Sequence, residues 1–174
     1  MRAPVVCAVV VAGGCGSRFG NPGGKRLVNV AGRPMLTWSI MAFDRSMYVG
    51  HIVVVCPPER RDEMRRLAID PFEFQTPITF TDAGETRQDS TRAGIEAVPT
   101  GFDYVSIHDG ARPLITTEAI NIAIASLLGD ASVDGVVCGQ PAIDTLKIVD
   151  GNRIVETPPR SMYWAAQTPQ IFKL

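Results

Sequence analysis

Between Ala12 and Gly24 the chain carries six glycines, with Arg18 inside the run and Lys25 directly after it. Residues 5–11, which lead into the run, are apolar and rich in valine. A buried strand ending in Gly13, Gly14 and Gly16 lets the backbone approach a ligand with no side chain in the way, so that several N–H groups can converge on anionic oxygens. Arg18 and Lys25 add fixed positive charge, which suits a polyphosphate better than a neutral ligand. Two familiar phosphate loops fail on spacing. The dinucleotide pattern G-x-G-x-x-G, begun at Gly14 and Gly16, reaches Phe19 where its third glycine belongs. The Walker pattern, placed on Gly24-Lys25, has Phe19 at its first glycine and Arg26 where Ser or Thr must follow.

Three further clusters could carry chemistry. HDGARP puts Asp109 just past an apolar run, with Gly110 and Ala111 leaving room and Arg112 close behind. A lone carboxylate beside a phosphate loop suits Mg²⁺, which takes one or two carboxylates and fills its shell with water and phosphate oxygens. A second reading stands beside it, in which Asp109 caps the turn and pairs with Arg112. His108 is expected to be structural or to hold the loop by a side-chain hydrogen bond. DAGETRQDS offers Gly84, Arg87 and Ser90 around a helix start, where backbone groups and a hydroxyl can meet a base or ribose edge, although the same residues are ordinary capping chemistry. PAIDTLK and PPRSMYW carry Thr145, Lys147 and Arg160, which could either bind a second, phosphorylated substrate or simply keep a surface arm soluble.

These loops need elements to position them. Residues 5–11, 51–55, 78–81, 104–107 and 135–138 have strand length and β-branched content. Helical spacing separates most of them: Leu36, Ile40 and Phe43 share a face within 34–43, as do Ile120, Ile124 and Leu127 within 118–128, and further helices are predicted over 59–69 and 86–98. The alternation predicts an α/β domain, Rossmann-like, with a mostly parallel open sheet. In such a sheet ligands bind outside the carboxyl ends of the strands, which is where the four loops fall. Residues 146–149 and 153–156 flank Asp150-Gly151-Asn152, a turn signal between β-prone arms, and predict a projecting hairpin.

Composition limits the partners. With 17 Lys and Arg against 18 Asp and Glu, the formal charge is −1, which argues against nucleic acid. Arg60, Arg61, Arg65 and Arg66 do cluster, but Glu59, Asp62 and Glu63 interleave with them, as on a solvated ion-paired face. Cys7, Cys15, Cys56 and Cys138 form no C-x-x-C pair and read as reduced thiols in a cytoplasmic protein, with Cys15 alone placed where it could react. The apolar N-terminal stretch is too short to span a bilayer. Two histidines exclude a His-rich zinc cluster.

Taken in order, AGGCGSRFG, Lys25, AGRPML, GETRQDS, HDGARP, DTLK and QTPQIF resemble the sugar-alcohol phosphate cytidylyltransferases, and among them the 2-C-methyl-D-erythritol 4-phosphate cytidylyltransferases of the non-mevalonate isoprenoid pathway. The resemblance covers nearly the whole chain. It implies transfer of a cytidylyl group from CTP to methylerythritol phosphate, with Arg18 and Lys25 as catalytic cations. It implies a nucleotide pocket from Ala12, Gly13, Gly14, Gly16, Gly84, Arg87, Ser90 and Gly110, with Mg²⁺ or another divalent cation on Asp109. Arg112, Thr145 and Arg160 would bind the acceptor, the last two delivered by the arm of a partner subunit in a homodimer. The implied organisation is one nucleotidyltransferase domain over 1–174, its arm at about 141–160, without the further strand and helix region in which the family carries another substrate-binding lysine. Gly24-Lys25-Arg26 departs from the family's usual Pro-Lys-Gln. Ribitol-5-phosphate cytidylyltransferase and a nucleotide-binding module without activity are the alternatives.

Overall fold

The computed structural model describes residues 5–14 and 25–174. In chain order the strands are β1 (Val6–Val11), β2 (Asn29–Val30), β3 (Arg33–Pro34), β4 (Val49–Cys56), β5 (Ile78–Asp82), β6 (Tyr104–Asp109), β7 (Gly135–Pro141), β8 (Ile148–Asp150), β9 (Arg153–Glu156) and β10 (Trp164–Lys173). The α-helices are α1 (Met35–Asp44), α2 (Arg61–Met64), α3 (Arg87–Glu96) and α4 (Thr117–Gly129). A six-stranded sheet takes the order β5-β4-β1-β6-β10-β7. β1 pairs in parallel with β4 and β6, and β4 with β5.

Residues Val6, Cys7, Ala8, Val9 and Val10 are wholly buried, as a central parallel strand covered on both faces must be. Side chains alternate across the sheet, so Val6, Ala8 and Val10 join Leu36, Ile40 and Phe43 of α1 and Ile120, Ile124 and Leu127 of α4. Cys7 and Val9 face the other way, toward Ile95 of α3 with Ala97 and Val98 beyond it. Helices therefore cover both faces, the layered α/β architecture that the alternation predicts. Cys7, Cys56 and Cys138 are free thiols, and burial pushes Cys7 up to about 12.

Two larger elements differ from the sequence reading, beside the short β2–β3 pair that it did not predict. Residues Trp164–Lys173 form a strand, β10, inserted antiparallel between β6 and β7. Its QTPQ segment lacks a strand's alternation, and Pro169 falls where the register shifts between Ala166 and Gln170, a place where a missing N–H is tolerated. The helix predicted over 59–69 is three short turns: a 3₁₀ turn Pro58–Arg60, α2, and a π-helical turn Arg65–Ile69. Its arginines reach outward as well as along the segment. Arg60 pairs with Glu63 at 2.6 Å, whereas Arg61 pairs with Asp82 of β5 and the Arg65 guanidinium stacks 5.1 Å over the Phe80 ring.

β8 and β9 form the predicted hairpin, closed at Gly151, whose φ is +55°. Glycine tolerates that left-handed backbone without a Cβ clash.

Gly94 sits inside α3 against its helix propensity. The reason is contact: a Cβ there would lie 2.3 Å from Val9 Cγ1 and 2.8 Å from Val55 Cγ2. Overpacking costs about 1–3 kcal/mol and alanine regains at most about 1 kcal/mol of propensity. Gly94→Ala is therefore expected to lower stability, measured as a reduced urea midpoint at unchanged m-value.

Candidate active site at the carboxyl edge of the sheet

The carboxyl ends of β1 and β6, the loop after β5 and the start of α3 enclose a cavity of about 850 Å³. Gly13, Gly14, Lys25, Gly84, Arg87, Ser90, Asp109 and Arg112 all line it, so the structure brings together eight of the residues singled out in the sequence. Ala12 and Gly110 stand one layer behind. The Ala12 N–H donates to the Val55 carbonyl at 2.7 Å and the Gly110 N–H to the Val11 carbonyl at 3.0 Å, which ties the mouth of β1 to both neighbours. Gly16, Arg18 and Cys15 lie outside the described residues. Thr145 and Arg160 are exposed and off the cavity, although Arg160 Nη1 donates to the Ile143 carbonyl at 2.9 Å and so stands against the segment that carries Thr145.

The loop chemistry is specific. A Cβ on Gly13 would lie 2.6 Å from Ala83 Cβ and 3.1 Å from Ser90 Oγ, so only glycine lets β1 end this close to α3. Thr86 caps α3 with a capping box: its hydroxyl accepts from the Asp89 N–H at 3.1 Å, while the Asp89 carboxylate accepts the Thr86 N–H at 3.2 Å. Ser90 spends its hydroxyl on the Gly84 carbonyl at 3.3 Å and thereby closes the loop over the capped turn.

Charge concentrates at Asp109. Arg87 donates to Oδ1 through Nη2 at 2.9 Å and Nε at 3.2 Å, and Arg112 Nε donates to Oδ2 at 2.9 Å. Burial alone would raise the Asp109 pKa; the two guanidinium groups outweigh it and hold the carboxyl below its ordinary value. Of the two readings of HDGARP, the pairing with Arg112 is thus present, and Arg87 joins it from α3. Arg112 also reaches Gln167 on β10 through Nη1.

Behind this cluster His108 is wholly buried. Its Nε2 lies 3.3 Å from the Arg112 carbonyl, and Nδ1 lies 3.0 Å from Thr168 Oγ1. Burial pushes its pKa down to about 4, against the upward pull of the Arg112 carbonyl, so the ring is neutral near pH 7.

Sequence reasoning gave no site role to Arg26, Glu85 and Thr86, which also line the cavity, as does Ala111 of HDGARP. Arg26 is only 6% exposed, and its signal was its place next to Lys25. Thr86 could have been found from the T-x-x-D spacing of a capping box. Among the described residues no group of three His, Cys, Asp or Glu gathers to hold a metal, so a cation here would rest on the Asp109 carboxylate with ligand oxygens and water.

Removing one cation should move the carboxylate. In Arg87→Gln the Asp109 pKa is expected to rise, read from the side-chain carboxyl carbon in an NMR titration. Because the folded pKa is depressed, this ion pair stabilises the fold above the unfolded carboxylate pKa. That contribution is lost as pH falls through the folded value, and the variant should show less of this acid dependence.

The family model of 2-C-methyl-D-erythritol 4-phosphate cytidylyltransferase matches residues 6–174. The chain is similar to the protein of that description from Caldanaerobacter subterraneus subsp. tengcongensis, 40% identical over 170 residues, covering 97% of this chain and 73% of the relative. It is 39% identical over 167 residues to the protein so described from Microcystis aeruginosa, covering 95% and 72%. Among solved structures, 4-diphosphocytidyl-2C-methyl-D-erythritol synthase from Anaerococcus prevotii superposes with a TM-score of 0.82 at 25% identity, over 98% of this chain and 70% of that one. The cytidylyltransferase from Thermus thermophilus superposes with a TM-score of 0.68 at 27% identity, over 97% and 70%. A family model that matches residues 6–174, with relatives 39–40% identical over most of the chain, means that the chain belongs to the 2-C-methyl-D-erythritol 4-phosphate cytidylyltransferase family.

Proposed function

We propose that this chain transfers the cytidylyl group of CTP to 2-C-methyl-D-erythritol 4-phosphate, releasing pyrophosphate, as a step of non-mevalonate isoprenoid biosynthesis. The observation that carries the reading is the convergence of Lys25, Arg87, Arg112 and Asp109 on one glycine-walled cavity in a chain of this family. A phosphate oxygen of the acceptor attacks the α-phosphorus of CTP in line. The new P–O bond forms as the bond to the β-phosphate oxygen breaks, and pyrophosphate leaves. No covalent enzyme intermediate is needed, so the protein's task is positioning and charge neutralisation.

The residues divide that task. Backbone N–H groups of Gly13 and Gly14, with Gly16, cradle the triphosphate. Lys25 and Arg18 offset the charge that grows on the α-phosphoryl and the leaving group. Gly84, Arg87 and Ser90, with Ala12 and Gly110 behind the wall, shape the nucleotide pocket. Arg112 receives the acceptor phosphate. Asp109 is the residue that would hold Mg²⁺ or another divalent cation, which when bound supplies charge neutralisation across phosphate oxygens. A single carboxylate at the mouth of a polyphosphate cavity suits that donor set. Arg87 and Arg112 hold its oxygens in place meanwhile.

Thr145 and Arg160 complete the site from a second subunit in this reading. Supporting it, Ile154 and Val155 of the arm are 62% and 60% exposed, with Ile143, Met162 and Trp164 exposed along the same arm, an apolar surface of the kind a partner covers. A homodimer buries it. A cytoplasmic location suits the free thiols, and among the described residues no helix is long and apolar enough to cross a membrane. We read the described residues as one nucleotidyltransferase domain.

The test is pyrophosphate release from CTP and Mg²⁺ with methylerythritol phosphate, beside ribitol 5-phosphate and a no-acceptor control. Release with the first acceptor alone supports the reading; binding of CTP without release under any condition overturns it. Lys25→Ala should lose about 100-fold or more in kcat, in line with the roughly 3 kcal/mol that one preorganised donor contributes to a transition state. Ile154→Glu should halve the particle mass measured by light scattering and raise the acceptor KM.

A further inference from the structure

His108 is buried, lines no part of the cavity, and packs its ring against Phe43 at a centroid distance of 5.2 Å. Packing alone would be met by a phenylalanine. Its two ring nitrogens, however, are both engaged, and the partners fix the direction of every bond. The Arg112 carbonyl only accepts, so Nε2 carries the proton and donates at 3.3 Å. In the neutral ring Nδ1 then accepts, and the Thr168 hydroxyl donates to it at 3.0 Å. That leaves the Thr168 oxygen to accept the Asp109 N–H, at 3.2 Å. Thr168 is itself only 7% exposed, so neither partner has water as a ready substitute. One buried ring thus ties together the backbone at both ends of the turn that carries Asp109 and Arg112, and ties that turn to β10. Ser39 of α1 braces the same turn, with its hydroxyl 3.4 Å from the Gly110 carbonyl and 3.3 Å from that of Arg112.

The geometry points to His108, acting through Thr168, as a positioning residue that sets the aim of the Asp109 carboxylate and the Arg112 guanidinium into the cavity. The inference rests on the roles given to those two residues above. Outer partners that orient a ligating or substrate-binding group commonly change affinity or activity by about 10–100-fold when removed.

The experiment uses the full chain and four variants. His108→Phe keeps the ring against Phe43 and removes both hydrogen bonds, Thr168→Val removes the hydroxyl at constant shape, Thr168→Ser restores it, and Asp109→Asn is the control. Rates are measured well below the thermal midpoint of each protein, and Mn²⁺ affinity of the CTP complex is read by electron paramagnetic resonance without acceptor. His108→Phe and Thr168→Val should each weaken Mn²⁺ binding, raise the acceptor KM and lower kcat, with about a tenfold combined effect or more. Thr168→Ser should stay within about twofold of the parent. A fall in thermal midpoint with kcat, KM and Mn²⁺ affinity unchanged overturns the proposal and makes His108 a packing residue. Should His108→Phe fail to fold, the contrast between Thr168→Val and Thr168→Ser decides it alone. Unchanged Mn²⁺ affinity in Asp109→Asn overturns the metal role of Asp109 instead, and the relay is then judged on the acceptor KM through Arg112.

Discussion

The parallel pairing of β1 with β4 on one side and β6 on the other is the constraint from which the rest of the molecule follows. A strand so placed has no solvent face, and its side chains must be small, apolar and alternately matched to helices above and below. Parallel neighbours also oblige the chain to cross back over a face each time, which puts the loops after β1, β5 and β6 at one edge. The cavity is a consequence of that edge. Its wall is backbone at Gly13, which cannot carry a Cβ against Ala83, and the edge draws Arg87, Asp109 and Arg112 together beside Lys25, Arg26 and Glu85 to supply its charge.

The antiparallel return of β10 adds a second constraint. By passing between β6 and β7 it brings Gln167 and Thr168 beside the end of β6, where they touch Arg112 and the Asp109 backbone. Parallel crossovers alone would leave the turn after β6 anchored on one side. With β10 present the turn is held from within by His108, from α1 by Ser39 and from the sheet by Thr168, while its charged side chains remain free to face the cavity. A rigid turn under a charged pair is the arrangement that a reaction run on positioning and neutralisation requires.

The projecting arm is the counterpart to this rigidity. β8 and β9 pair with each other and are exposed throughout, and Arg160 is fastened to the Ile143 carbonyl at the arm's base. The chain therefore separates a built cavity from a surface that carries its remaining candidate acceptor groups. In the proposed homodimer that separation is what allows one subunit to complete the other.

Much of this was legible in the residues themselves. Glycines after a valine run, the apolar spacing of α1 and α4, the turn at Gly151 and the motif HDGARP are local signals, and local sterics and burial decide their outcome. Residues 59–69 were legible as helical but not as irregular turns, because their charges suggest one ion-paired helix while Arg61 and Arg65 are drawn to Asp82 and Phe80 of β5. β10 was hidden because its hydrogen-bond partners lie far off in sequence and its bulge breaks the period-two pattern. The sequence by itself determined the layered α/β architecture and which loops face one edge, since periodicity and glycine placement are properties of neighbours along the chain. Only the tertiary structure decided that Arg87 of α3 meets Asp109 of β6, that Arg26 lines the same cavity, and that His108 speaks to Asp109 through Thr168, because each of those contacts is made by strand order and register that no short stretch of residues encodes.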